Sequence, residues 1–251
     1  MPERLSPHAI TADLTTAVAN FVPNPNLRLG DTDSTHGVIF GDLDGYGEVA
    51  VKPHQKIQRA WREQKTLETA AERGIHAIKP LMVADGELSS YLVTQRLPGL
   101  YHLGQTDWAV SAESRSLKSV VEPALEVAAR SIAARHQRGL VKLDCTVKNI
   151  VLESYGADVL ADAEAVLVDV PSEHRSKHGN QDLRNLGCSA LHRGLLSEKP
   201  PEYRIGFLTE NFLEPYFAQV DPSQFPQPVE DRTLAVQGAF ARYFDKVNRQ
   251  K

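Results

Sequence analysis

His136-Gln137-Arg138-Gly139-Leu140-Val141-Lys142-Leu143-Asp144-Cys145-Thr146-Val147-Lys148-Asn149-Ile150-Val151-Leu152 is the stretch on which the reading of this chain turns. It begins as the end of a helix, because Val121, Leu125, Ala128 and Ile132 recur at spacings of four and three and make one apolar face that stops at Gly139. Pro123 fits that helix only if it begins close by, where a missing N–H costs nothing. A short loop carrying Asp144 follows, and Asn149 opens an apolar strand. An aspartate and an asparagine five apart arise about once by chance in such a chain, so the weight lies on the helix, loop and strand around them.

Upstream, the pattern is of short strands. Residues 27–29, 37–40 and 48–52 are β-type runs separated by turn-rich segments 30–36 and 41–47, which predicts a three-strand meander. Residues 58–73 hold good helix formers with Ala60, Leu67, Ala70 and Ala71 at apolar positions and Gly74 as the C-cap. Residues 79–83 and 90–94 read as two more strands with an Asp85-Gly86 turn between them. Ahead of all this, residues 9–21 are helix-like, and Pro23-Asn24-Pro25-Asn26 breaks the pattern.

Pro98-Gly99 punctuates the chain, and beyond it the pattern is mostly helical, over 181–196, 203–219 and 229–248 as well as the helix ending at Gly139. Short β-like pieces lie at 149–152, 158–161 and 165–168. The expected fold class is therefore α+β. Residues 1–97 form a β-rich lobe of five antiparallel strands and one helix, with 1–24 as a helical extension, and 98–251 form a mostly helical lobe.

Composition closes off other classes. With 251 residues, 28 basic against 32 acidic side chains, 41% hydrophobic residues and two cysteines, the chain is neither a disordered tail nor a disulfide scaffold. It has no apolar run of about 18 residues, and Met1-Pro2-Glu3-Arg4-Leu5 lacks the order of a signal peptide, so a cytoplasmic location without a membrane segment is expected. Cys145 and Cys188 then read as reduced thiols. A net charge of −4 gives no support to a nucleic-acid partner, and the oligomeric state is not encoded.

Two further charges matter as a pair. Lys52 ends the strand Val49-Ala50-Val51-Lys52, and Glu63 lies on the following helix. Each alone is an ordinary surface charge. Together, a strand lysine and a glutamate on the next helix form an ion pair that can hold an ammonium against phosphate oxygens. A second aspartate, Asp162, follows Asn149 by 13 residues.

The order lysine, glutamate, hinge, Asp-x-x-x-x-Asn, Asp resembles that of the protein-kinase-like superfamily, and the resemblance covers roughly residues 27–196. The intervals look like those of eukaryotic-like protein kinases and of compact atypical members such as lipopolysaccharide kinases and aminoglycoside phosphotransferases. Leu92-Val93-Thr94-Gln95-Arg96-Leu97-Pro98-Gly99 looks like their hinge, with Thr94 at the gatekeeper position, and Gly179 to Gly187 is similar to the aspartate-bearing helix that braces the catalytic loop. The resemblance implies a two-lobed kinase-like fold using ATP and Mg2+. Lys52, held by Glu63, would grip the α- and β-phosphates; Gln95 to Leu97 would bind adenine through the backbone; Asp144 would accept the proton of the attacking hydroxyl. Asn149 and Asp162 would hold the metal, a hard cation that prefers oxygen ligands.

The departures from the family pattern are specific. Lys142-Leu143-Asp144 stands where many kinases have His-Arg-Asp, and Thr146 replaces a lysine whose charge Lys148 would supply. Asp162-Ala163-Glu164 replaces Asp-Phe-Gly, with Asp169 as the alternative aspartate. The phosphate loop, Gly30 to Gly37, has glycine only at its ends. Its Gly30, Ser34 and Gly37 are candidate phosphate contacts, and Thr32, Ser34 and Thr35 candidate phosphorylation sites whose added charge would inhibit. It reads equally as a plain polar hairpin.

The acceptor is expected to be a protein serine or threonine, self-modification included, because a helical lobe of about 150 residues leaves little to enclose a small molecule. A sugar-type or antibiotic-type small-molecule hydroxyl is the alternative, and a non-catalytic pseudokinase is a third reading. His174, His178 and His192 lack supporting carboxylates for a metal site. Trp61 and Trp108 read as packing residues, and Pro200-Pro201-Glu202 as a turn between helices.

Overall fold

Val49 and Val51 point to one side of their strand and are fully buried, whereas Ala50 and Lys52 point to the other, the alternation expected of a strand covered on both faces. In the computed structural model of the chain, which describes residues 7–24, 37–97, 101–141, 145–152, 165–168 and 179–249, these residues belong to β3 (Gly47–His54). The chain divides into two compact units, Met1–Pro98 and Gly99–Lys251.

In the first unit β3 is the middle strand of a five-stranded antiparallel sheet, with β1 (Phe21–Pro23) and β2 (Ile39–Leu43) on one side and β5 (Ser90–Gln95) and β4 (Pro80–Asp85) on the other. Its valine face packs with Tyr91 and Val93 of β5 against Leu14 and Val18, which α1 (Pro7–Ala17) and the turn after it supply. Helix α2 (Ile57–Glu72) is met by the opposite face, where Lys52 points. Gly74 ends α2 as expected, at φ +69°, with the Ile75 N–H returning to the Ala70 carbonyl at 2.9 Å.

The strand count agrees with the sequence, but the first strand differs. The helix expected over 9–21 stops at Ala17, the backbone turns at Asn20, and Phe21–Pro23 pairs with β2, Phe21 opposite Leu43. Phe21 and Val22 are β-formers, and sheet pairing overrides the helical periodicity that runs into them. The strand expected at 27–29 lies outside the described residues. Residues 41–43, expected in a turn, extend β2, so the turn is confined to 44–46.

The hairpin between β4 and β5 is fixed from outside. Asp13 of α1 accepts hydrogen bonds from the Glu87 N–H (2.8 Å), the Ser89 N–H (3.1 Å) and the Tyr91 hydroxyl (2.6 Å). Gly86 is required there, because a Cβ at that position would collide with the Asp13 carboxylate.

The second unit is built around α3 (Glu122–Gln137), in which Ala124, Leu125, Val127, Ala128, Ala129, Ile132 and Ala133 are all buried, so the helix is covered on nearly every side. A π-helical turn, Leu117–Val121, leads into it, and Pro123 sits just past that junction. The same device recurs where a π turn, Thr209–Leu213, joins α5 (Pro201–Leu208) to α6 (Glu214–Phe217), with Pro215 at the junction. Widening the turn ahead of a proline accommodates its missing N–H and ring, so the helical path continues. Helices α4 (Asn180–His192) and α7 (Val229–Asn248) complete the helical part. Pro200 and Pro201 cap and start α5.

A small antiparallel sheet joins β6 (Tyr101–His102), β7 (Val151–Leu152) and β8 (Ala165–Val166), with β7 in the middle. β6 has too few residues to be legible as a strand. The β-like run at 158–161 lies outside the described residues. The two tryptophans differ: Trp108 is buried, its indole N–H on the Leu103 carbonyl at 2.8 Å, whereas Trp61 is 51% exposed on α2 and is not the packing residue expected. Its neighbours at three and four residues' spacing, Gln58 and Lys65, are exposed as well, so the helix turns this side chain away from the sheet.

Candidate active site

The first unit brings together Lys52 and Glu63, the pair expected to meet phosphate. Lys52 Nζ lies 3.0 Å from each carboxylate oxygen of Glu63, which is itself 2% exposed. Strand alternation brings His54 to the same side as Lys52, and its Nε2 is 3.2 Å from Glu63 Oε2 without the alignment of a hydrogen bond. A carboxylate this buried is stabilised by the ammonium that meets both of its oxygens. The sequence reading found Lys52 and Glu63 but missed His54, whose period-two relation to Lys52 was its signal.

At the hinge, Thr94 is buried and its hydroxyl donates to the Ala50 carbonyl at 3.2 Å. The Gln95 N–H is taken by the Lys79 carbonyl (2.9 Å) and the Arg96 N–H by that of Glu48 (3.1 Å). Arg96 also forms a close ion pair with Glu48. Among the described residues the Leu97 N–H has no such partner. Gly37 adopts φ +59° ahead of β2; Gly30 and Ser34 lie outside the described residues.

In the second unit the described part of the catalytic-loop stretch is pinned at several points. The Asn149 N–H bonds the Thr146 carbonyl at 2.9 Å, and the Val147 N–H bonds Ser189 Oγ of α4 at 3.0 Å. On the other side, the Leu103 N–H bonds the Ile150 carbonyl at 2.9 Å and His102 Nδ1 lies 2.8 Å from the Lys148 carbonyl. Lys148 and Asn149 are half-buried, and Asp144 lies outside the described residues.

Behind this loop runs a buried polar chain. His136 Nε2 is 3.0 Å from Asp182 Oδ2, and His136 Nδ1 is 2.7 Å from the Tyr216 hydroxyl. Arg232 donates from Nη2 to the Tyr216 oxygen at 3.2 Å and from Nε to Asn180 Oδ1 at 2.9 Å, with its guanidinium 3.8 Å from the Phe225 ring centroid. One assignment of protons satisfies every group: Arg232 gives to Tyr216, Tyr216 to His136, and His136 to Asp182. Burial pushes the Tyr216 phenol up, which keeps it a donor. Gly179, at φ +62°, admits the histidine, since a Cβ there would stand 2.7 Å from His136 Cε1. Sequence reasoning reached Asp182 through its helix; Tyr216 and Arg232 come from distant segments and gave no signal.

Asp162 and Asp169 both lie outside the described residues; β7 and β8 lie within them. β7 pairs with β8, Val151 opposite Val166, so Asp162 precedes β8 and Asp169 follows it by three residues. Among the described residues, no group of three or more His, Cys, Asp or Glu side chains is placed to hold a metal. No helix of the described residues is long and apolar enough to cross a membrane.

An antiparallel five-strand sheet with a Lys–Glu pair, joined in the chain to a helical unit whose sequence carries Asp-x-x-x-x-Asn, is a protein-kinase-like phosphotransferase fold. Residues 52–211 match the model of the lipopolysaccharide kinase (Kdo/WaaP) family, and the chain belongs to that family. Among solved structures it is similar to WaaP in complex with acyl carrier protein, at 20% identity over 94% of this chain and 92% of that one, with a TM-score of 0.55. It is also similar to the aminoglycoside phosphotransferase APH(3'')-Id from Streptomyces rimosus in complex with ADP and streptomycin, at 16% identity over 94% and 99%, with a TM-score of 0.51. No curated protein matches the chain in sequence.

Proposed function

We propose that this chain is an ATP- and Mg2+-dependent phosphotransferase whose acceptor is a hydroxyl of a saccharide-type small molecule. The observation that carries the phosphotransferase reading is the pair of 3.0 Å contacts that fix Lys52 on Glu63, in a family of kinases. Lys52 so held is oriented to neutralise the α- and β-phosphates, and the Leu97 N–H is the hinge donor left for adenine. Asp144 accepts the proton of the acceptor hydroxyl as its oxygen bonds the γ-phosphorus and the bond from that phosphorus to the ADP oxygen breaks. Lys148 supplies the positive charge of the loop.

Asn149 offers an amide oxygen and Asp169 a carboxylate to Mg2+, a ligand set this cation accepts because it keeps waters and phosphate oxygens for its other positions. The bound ion would neutralise phosphate charge. Asp169 is preferred here to Asp162, because the described partner of β7 is β8, which comes after Asp162 and ends three residues before Asp169.

The family favours the saccharide acceptor over the protein serine or threonine expected from chain size. Size does not discriminate, because a small-molecule kinase is matched over 99% of its own length. In ATP turnover assays, wild type should consume ATP with Mg2+, a panel of saccharides should stimulate ADP release, and Asp144→Ala and Asp169→Ala should abolish it while Asp162→Ala retains it. Label from γ-labelled ATP entering only a protein band would return the acceptor to serine or threonine. No turnover and no Mg2+-dependent nucleotide binding by wild type would leave a pseudokinase.

A further inference from the structure

We infer that His102, reached from β6 rather than from the catalytic-loop stretch, is a positioning residue that sets the backbone from which Lys148 and Asn149 project. The metal role of Asn149 rests on the function proposed above; the positioning itself does not.

A carbonyl oxygen only accepts, so His102 Nδ1, 2.8 Å from the Lys148 oxygen, must carry the proton. The N–H on the same peptide unit, that of Asn149, is bonded to Thr146 at 2.9 Å. Both ends of the peptide plane between Lys148 and Asn149 are therefore held, and the plane cannot rotate without losing a bond. His102 is held in turn. It stands opposite Val151 in the sheet, and its own N–H donates to Gln105 Oε1 at 3.0 Å. The residue is 7% exposed, and among the described residues its buried Nε2 has no hydrogen-bond partner, so the Lys148 bond through Nδ1 is what orients the ring. Two residues on, Gly104 lies so close that a Cβ would meet Lys148 Cγ at 3.3 Å and Lys148 Cα at 3.4 Å. His102 and Gly104 thus form a seat for Lys148 on which a larger residue would not fit without movement.

The test uses the full chain and three variants. Asn Nδ2 stands at the same bond count from the backbone as His Nδ1, so His102→Asn keeps the donor, His102→Leu removes it, and Gly104→Ala crowds the seat. Amide hydrogen exchange at Asn149 is the first readout, with thermal melting followed in parallel. In His102→Leu this amide should exchange about tenfold or more faster while the melting transition stays cooperative; His102→Asn should restore protection. The second readout is ADP binding by titration calorimetry. His102→Leu should raise the Mg2+ concentration for half-maximal tightening of ADP about tenfold, the scale on which groups supporting a metal ligand act, and Gly104→Ala should shift it the same way. Unchanged Asn149 exchange in His102→Leu overturns the positioning role. If His102→Leu does not fold, wild-type Asn149 exchange and Mg2+ midpoint in Gly104→Ala overturn it instead. Faster exchange with no Mg2+ dependence even in wild type keeps the positioning role and defeats the metal reading alone.

Discussion

At the scale of single residues the strongest dependences are polar. Among the described residues Lys52→Met leaves Glu63 with only the poorly aligned His54 beside it, and on the proposed function it removes the ammonium that would meet phosphate, so kcat/KM for ATP should fall by about a hundredfold or more in a coupled ADP-release assay. Tyr216→Phe removes one hydroxyl that serves both His136 and Arg232; leaving those buried groups short of a partner should cost about 1–3 kcal/mol, read as a lowered denaturation midpoint. His102 supplies a pH dependence. Burial holds its imidazole below the ordinary value of 6.5, against the pull of the Lys148 carbonyl. The unfolded chain therefore takes up this proton before the folded one does. The contribution is fully present above pH 6.5 and is lost as pH falls below it, so urea midpoints measured downward from pH 7 should decline, and less steeply in His102→Asn.

At the scale of elements, local rules account for the starts and stops and tertiary pairing for the exceptions. Gly74 and Gly139 end their helices with the left-handed backbone expected from their placement after apolar periodicity. Pro123 and Pro215 do not break the helical path, because a π turn precedes each. The β4–β5 hairpin was legible as Asp85-Gly86, but the reason for its glycine was not, since the Asp13 carboxylate that excludes a Cβ comes from α1. Asp13→Ala and Gly86→Ala should each destabilise the first unit by roughly 1–3 kcal/mol. The double variant should lose less than the sum, because both disrupt the same contact; a double-mutant cycle in urea checks it.

At the scale of the whole molecule, two units are joined at Pro98 and Gly99, each with its own core. The family match spans residues 52–211, from the strand lysine to the π turn before α6. The N-terminal helix that carries Asp13 lies outside this span, and its apolar face covers the valine side of the sheet. Removing residues 1–18 should therefore expose Val49, Val51, Tyr91 and Val93 and bind an apolar dye, with a lowered melting temperature as the companion readout.

The sequence by itself determined what depends on local order. Strand alternation placed Lys52, and helical periodicity placed Glu63 and α3, because side-chain direction repeats with a fixed period along each element; the tie from that pair to Asp144 and Asn149 came from the family resemblance alone. It left open what depends on which distant segments meet. The pairing of β7 with β8, which puts Asp169 and not Asp162 after the second strand, is decided by hydrogen bonds between residues as far apart in the chain as Val151 and Val166. So are the Tyr216–His136 contact, 80 residues apart, and the His102 bond to Lys148, 46 apart. A buried polar group takes whichever partner the fold brings within about 3 Å, and only the tertiary structure selects it.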